Sequence, residues 1–219
     1  MQRTTKVATI ADALIPRKGV WVNVVVDVLL IVGFAALTGL AARVAVYLNP
    51  AVPITGQTFA VLLTGATLGR KRGSASMLVY LVAGGLLGWP VFASSGAWSV
   101  ASRGYLLGFL AAAAIVGYLC EKGLGQSILK VMAAMLAGEV AIYVFGLAWL
   151  AFYFEAFELV DFAAKGLLSS ATRWAVIWEW GVRDFIIGDI IKLVMAAFGV
   201  NLAWAGIHKL KGENIQNSS

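Results

Sequence analysis

The chain has 219 residues, of which 61% are hydrophobic and 13% charged, with a mean hydropathy of +0.87. Soluble domains run near half apolar and a quarter charged, so these values exclude a water-soluble globule, and with it a disordered chain, a secreted disulfide scaffold and a nucleic-acid binder. The 17 Lys and Arg against 11 Asp and Glu give +6, an excess that marks cytoplasmic loops in a membrane protein, while the single Cys120 and single His208 exclude an internal disulfide and a histidine metal cluster.

Residues 1–20 read as a basic cytoplasmic or interfacial lead-in, without the compact apolar stretch of a cleaved signal. A membrane helix needs about 20 apolar residues, and hydrophobic runs fall at 22–47, 56–69, 73–89, 104–120, 127–153 and 185–207. They predict an all-α integral membrane protein with six transmembrane helices in a domain over 21–208, followed by a tail over 209–219. The second run is short. Pro53, Ile54 and Thr55 before it predict irregular backbone at membrane depth, tolerated only where protein or a cavity surrounds it. After the third run, a Gly/Ser-rich loop carries Trp89, Phe92 and Trp98. These rings suit either a flap over a partly apolar ligand or anchors in the aromatic belt. The segment from Phe154 to Asp184 mixes charges with Phe157, Phe162, Trp174, Trp178 and Trp180, and predicts an amphipathic interfacial piece.

Charge placement tests this layout. One side collects eleven bases (Arg3, Lys6, Arg17, Lys18, Arg70, Lys71, Arg72, Lys122, Lys130, Lys209, Lys211) against the three acids Asp12, Glu121 and Glu213. On the other side Arg43, Arg103, Lys165, Arg173 and Arg183 are cancelled by Glu155, Glu158, Asp161, Glu179 and Asp184. The positive-inside rule then places both termini in the cytoplasm, as an even number of spans requires.

Four ionisable residues within the apolar runs stand out: Asp27, Glu139, Asp189 and Lys192. Each costs about 2.5–3.5 kcal/mol on insertion scales, which makes it a functional-site candidate by default. Asp189 and Lys192 are three apart and share a face of the sixth helix, next to Gly188. Two readings stand: a self-neutralising ion pair, or a polar anchor for a ligand with hydrogen-bond donors and an acidic group. Asp27 is placed to reach water near the end of the first helix. Glu139 lies deeper, either paired or protonated. Small residues crowd the first helix, with Ala35 to Gly39 and Ala41 to Ala45 at four-residue spacing. Such spacing serves bundle packing or docking on another membrane subunit. A Walker A pattern, a zinc-protease HExxH and an intramembrane histidine pair are all lacking, which argues against an enzyme.

Gly33 to Thr38, the run Val52-Pro53-Ile54-Thr55-Gly56-Gln57-Thr58-Phe59 continuing to Gly73, Tyr80-Leu81, Gly88 to Ala93, Gly104 to Phe109, Ile142-Tyr143, Gly146 to Leu150 and Gly188-Asp189-Ile190-Ile191-Lys192 together resemble the BioY family. Those proteins are biotin-specific S components of energy-coupling factor transporters. The resemblance implies a six-helix S component in the cell membrane that binds biotin near the outer face. Its implied partners are a transmembrane coupling subunit and two ATPase subunits, which use the ATP, so the chain itself needs no cofactor. It also implies Asp189 and Lys192 as polar contacts in the biotin pocket, with Thr55 and Gln57 at the start of the second helix and Trp89 to Trp98 as a lid. Tyr80 and Tyr105 match family positions. Ala35 and Gly39 match the region that meets the coupling subunit. Many relatives carry a longer glycine-rich loop, some with an arginine in it; here Arg103 either supplies that cation from a shifted position or is an exposed outer charge. The family's usual prolines before the GDxxK signature are replaced by Arg183-Asp184-Phe185-Ile186-Ile187. An S component for another small vitamin and a stand-alone facilitator remain as alternatives.

Overall fold

Gly69 reverses the chain. Its φ of +79° and ψ of −178° belong to glycine alone and break a helical stretch, Gln57–Gly85 (α3), into two arms. A side chain on Gly73 would touch the Gly65 backbone at 3.3 Å, and Gln57 in the first arm hydrogen-bonds Tyr80 in the second. In a straight helix those two residues would stand about 34 Å apart. The arms are therefore an antiparallel hairpin, and the backbone N–H of Arg70 opening the second arm donates to Glu121 Oε1 at 3.0 Å.

The computed structural model describes residues 9–15, 19–49, 52–93, 101–153 and 173–216. Around the hairpin stand a short helix α1 (Ile10–Leu14), α2 (Val20–Ala41), α4 (Arg103–Glu121), α5 (Ile128–Tyr153), α6 (Arg173–Trp178) and α7 (Asp184–Gln216). A π-helical turn, Glu179–Arg183, joins α6 to α7, and β1 (Ala45–Val46) pairs antiparallel with β2 (Ile54–Thr55). Counting each hairpin arm, six long helices alternate in direction. Among the described residues, four stretches are long and apolar enough to cross a membrane by themselves: α2, α4, α5 and Trp174–Leu210. The α3 arms, about 18 and 24 Å long at 1.5 Å per residue, are shorter and mostly walled in by their neighbours.

The expected runs overlap these helices and differ from them mainly at their ends. The first helix stops at Ala41 rather than 47, because Ala45–Val46 leaves the helix to pair with Ile54–Thr55. The irregular backbone expected around Pro53 is this strand pair. The last helix begins earlier than 185: α6 and the π-turn feed straight into α7, since Arg183 to Ile187 holds no proline to stop the helix and Val176, Ile177 and Trp180 are buried. The amphipathic piece expected over 154–184 thus ends as packed helix from Arg173 onward, and its earlier part lies outside the described residues.

The interior has two apolar clusters. Tyr80, Tyr105, Phe109, Ile142 and Phe185 fill the end nearer Arg103. Leu62, Val116, Met135, Val200 and Trp204 fill the end nearer Arg70, where Ile10 of α1 closes them over. Asp189 lies on α7 between Phe185 of the first cluster and Leu193 of the second. At the Arg70 end, Arg72 bonds Asp12 of α1 at 2.5 Å and Asp27 of α2 at 3.6 Å. The reach expected for Asp27 is therefore toward an arginine.

Candidate functional site

Asp189 is 7% exposed and holds hydrogen bonds from three elements. Its Oδ1 accepts from Lys192 Nζ on the same helix at 2.8 Å and from the Thr58 hydroxyl of α3 at 3.2 Å. Lys192 Nζ also donates to Thr58 Oγ1 at 3.2 Å. The other carboxylate oxygen accepts from the Tyr143 hydroxyl of α5 at 2.7 Å. Bonds of this kind, with a charged partner, are stronger than neutral ones and shielded here from water. The ion pair expected from the three-residue spacing is present, and it is wired into two neighbouring helices.

A second set of bonds fixes the wall beside it. Thr55 Oγ1 donates to Gln57 Oε1 at 2.8 Å, the Gln57 amide donates to the Tyr80 hydroxyl, and that hydroxyl donates to the Val91 carbonyl at 3.2 Å. The segment after α3 is thereby tied to the hairpin. Phe92 packs edge-on against Tyr80, with centroids 5.2 Å apart, over Gly84, where any side chain would strike the Phe92 ring. Opposite, Tyr105 stacks on Phe185 at 6.2 Å and donates its hydroxyl to the Gly181 carbonyl of the π-turn at 2.9 Å. Asn49 ties the loop before β2 to this turn: its amide donates to Asp184 Oδ2 at 3.1 Å, and its carbonyl oxygen accepts from Val52 N at 2.9 Å.

These groups enclose a narrow cavity of about 50 Å³ lined by Val52, Pro53, Thr55, Gln57, Thr58, Phe92, Tyr105, Phe109, Ile142, Tyr143, Phe185, Asp189 and Lys192, among others. Aromatic and aliphatic walls with a few convergent polar groups are what a small-molecule site requires.

Of the expected site residues, Asp189, Lys192, Thr55, Gln57 and Tyr105 line the cavity, and Tyr80 stands one hydrogen bond behind it. The other expected residues are placed elsewhere. Trp89 is 60% exposed and off the cavity: the positive φ of Gly88 turns it outward, and Phe92 takes the inward place. Arg103, at the start of α4, is not among the residues lining the cavity, and its guanidinium lies 5.3 Å over the Trp149 ring in a cation–π contact. Trp98 lies outside the described residues. Ala35 and Gly39 are both buried within the chain, Ala35 at 7% exposure and Gly39 where a side chain would meet Val91 at 3.3 Å. The open small positions of α2 are instead Gly33, with no neighbouring heavy atom within 4 Å, and Ala36. Thr58, Tyr143 and Asn49 were not anticipated. The two hydroxyls stand inside apolar helices and Asn49 in the loop before β2, where neutral polar groups cost far less than charges and so stand out less in the sequence.

The fold defines a multi-pass membrane protein with a small, mostly apolar cavity that Asp189 and Lys192 line among its helices. The BioY family model matches residues 8–209, and the chain belongs to the BioY family. It is 32% identical to the biotin transporter BioY of Rhizobium etli, over 67% of this chain and 74% of the relative. It is 34% identical to the biotin transporter BioY of Thermotoga maritima, over 75% and 87%, and 33% identical to a probable biotin transporter BioY of Pyrococcus horikoshii, over 78% and 91%. In fold it is similar to the crystal structure of the S-component for biotin from an ECF-type ABC transporter, with a TM-score of 0.62, 22% identity, and coverage of 84% of this chain and 93% of that one.

Proposed function

We propose that this chain is the S component that captures biotin outside the cell membrane and delivers it to an energy-coupling complex. One observation carries the reading: in a BioY chain, Asp189 and Lys192 stand paired at the polar side of an otherwise aromatic and aliphatic cavity. Biotin offers an apolar bicycle for Phe92, Tyr105 and Phe185, a ureido group with donors and an acceptor, and a tail carboxylate. A carboxylate, an ammonium, an amide and hydroxyls are the complementary groups.

The chain has no nucleotide-binding motif of its own, so uphill transport takes its work from partners. These are a transmembrane coupling subunit and two ATPases, with both termini of this chain on their side of the membrane. The excess of bases at the Arg70 end supports that orientation. The exposed small face of α2, Gly33 and Ala36, is the proposed docking surface, because small residues let a partner helix approach closely. Reconstitution tests the whole reading. Vesicles holding this chain with its partners and ATP accumulate labelled biotin against a gradient, and vesicles holding the chain alone do not. Equal accumulation of another vitamin makes it an S component of different specificity, and equilibration without partners makes it a facilitator.

A further inference from the structure

Glu139 is 5% exposed, and neither of its carboxyl oxygens has a hydrogen-bond partner among the described residues. It sits on α5 one turn before Tyr143, beside Asp189, and both residues border an apolar groove of about 220 Å³ between α5 and α7 with Leu136, Val140 and Ile190. From α7 it faces Asp189 and Lys192. From its own helix it faces Tyr143, already committed to Asp189, with Tyr105 of α4 beyond. From α3 come Leu62, against neighbouring Gly138, and Thr58, which already serves Asp189 and Lys192. Among the described residues the ammonium facing it, Lys192, is already bonded to Asp189 at 2.8 Å and to Thr58 at 3.2 Å.

Two carboxylates side by side are both acceptors, and no bond joins them unless one carries a proton. A second full negative charge here would be buried against hydrocarbon without a counter-ion, which low-dielectric surroundings penalise heavily. We infer that Glu139 and Asp189 form a proton-binding carboxyl pair that holds one proton between them, and that ligand capture at Lys192 is linked to that proton. The link follows from charge. A ligand carboxylate that engages Lys192 draws the ammonium away from Asp189, and a proton retained on the pair replaces the lost compensation. Binding therefore weakens as pH rises through the loss of that proton, by at most about tenfold in Kd per pH unit for one proton. The linkage rests on the proposed capture of biotin. The proton site does not.

Infrared spectroscopy of the full chain in lipid nanodiscs tests the pair without any ligand. A protonated-carboxyl C=O band is expected at neutral pH, shifted when the protein carries ¹³C-carboxyl glutamate and lost in Glu139→Gln. Absence of the band in wild type, or its persistence unshifted under both changes, overturns the proton site; the labelled wild type decides even if the variant does not fold. Titrating biotin Kd from pH 6 to pH 10 tests the linkage. Weakening with pH in wild type and a flat profile in Glu139→Gln, with neutral-pH Kd within about threefold, are expected; parallel profiles overturn it.

Discussion

Tyr143 donates its hydroxyl to Asp189 Oδ2 at 2.7 Å, from a different helix than Lys192, which reaches the other oxygen at 2.8 Å. The carboxylate is thus held from two sides while remaining on the cavity wall. Its direction is set by packing before any ligand arrives, and preorganisation of this kind lowers the cost of binding.

Removing either charge should be felt strongly. Asp189→Asn and Lys192→Ala each break hydrogen bonds to a charged group, worth about 1.5–3 kcal/mol, and are expected to raise the biotin Kd at least about tenfold by equilibrium binding. Tyr143→Phe removes one bond from the same carboxylate and is expected to cost about tenfold. Unchanged affinity in all three would move the site elsewhere.

The hairpin turn makes a stability prediction. Gly69 has φ +79°, and a side chain there would lie 2.5 Å from Glu121 Oε1 and 2.8 Å from Thr9 Cγ2. Gly69→Ala is expected to destabilise the bundle by about 1–3 kcal/mol, read as a lowered melting temperature in detergent. Gly117→Ala should act in the same direction, since its added methyl would run into the Gly69–Arg70 backbone. A Gly69→Ala protein that melts like wild type would mean the reversal does not depend on glycine.

The Gln57–Tyr80–Val91 relay predicts a coupling between stability and ligand residence. Tyr80→Phe leaves the buried Gln57 amide and the Val91 carbonyl without the hydroxyl they share. A buried polar group stripped of its partner costs about 1–3 kcal/mol. Loosening of the segment that carries Phe92 should also speed biotin release, measurable by chase with unlabelled ligand. An unchanged release rate would detach the relay from the binding site.

The two faces of α2 separate docking from packing. Gly33→Trp and Ala36→Trp are expected to keep biotin binding and to abolish uptake in the assembled transporter. Gly39→Trp, aimed at Val91, is expected to lower the folded yield of the chain alone. The reverse pattern would return docking to the buried face.

Periodicity and composition made the membrane spans legible because hydrocarbon demands long apolar runs, and the break between the runs ending at 69 and beginning at 73 already marked the hairpin that Gly69 builds. Asp189 and Lys192 were legible for a related reason: charges in such runs are costly and their spacing is helical. What stayed hidden depends on the third dimension. Trp89 and Phe92 are three residues apart in one aromatic loop, and only the turn at Gly88 decides which faces inward. Arg103 neighbours cavity-lining Ser102 in sequence, yet its guanidinium sits over Trp149. Tyr143 becomes a partner of Asp189 only through the packing of α5 on α7, across 46 residues of sequence.

Equilibrium binding of labelled biotin to the purified chain in detergent, competed with desthiobiotin, riboflavin and thiamine and repeated on Asp189→Asn, tests the central claim most directly. Tight binding displaced only by biotin-like competitors, and weakened at least about tenfold by the substitution, is the predicted result. Folded protein that binds no biotin, or that binds it equally well without the Asp189 carboxylate, would contradict the account.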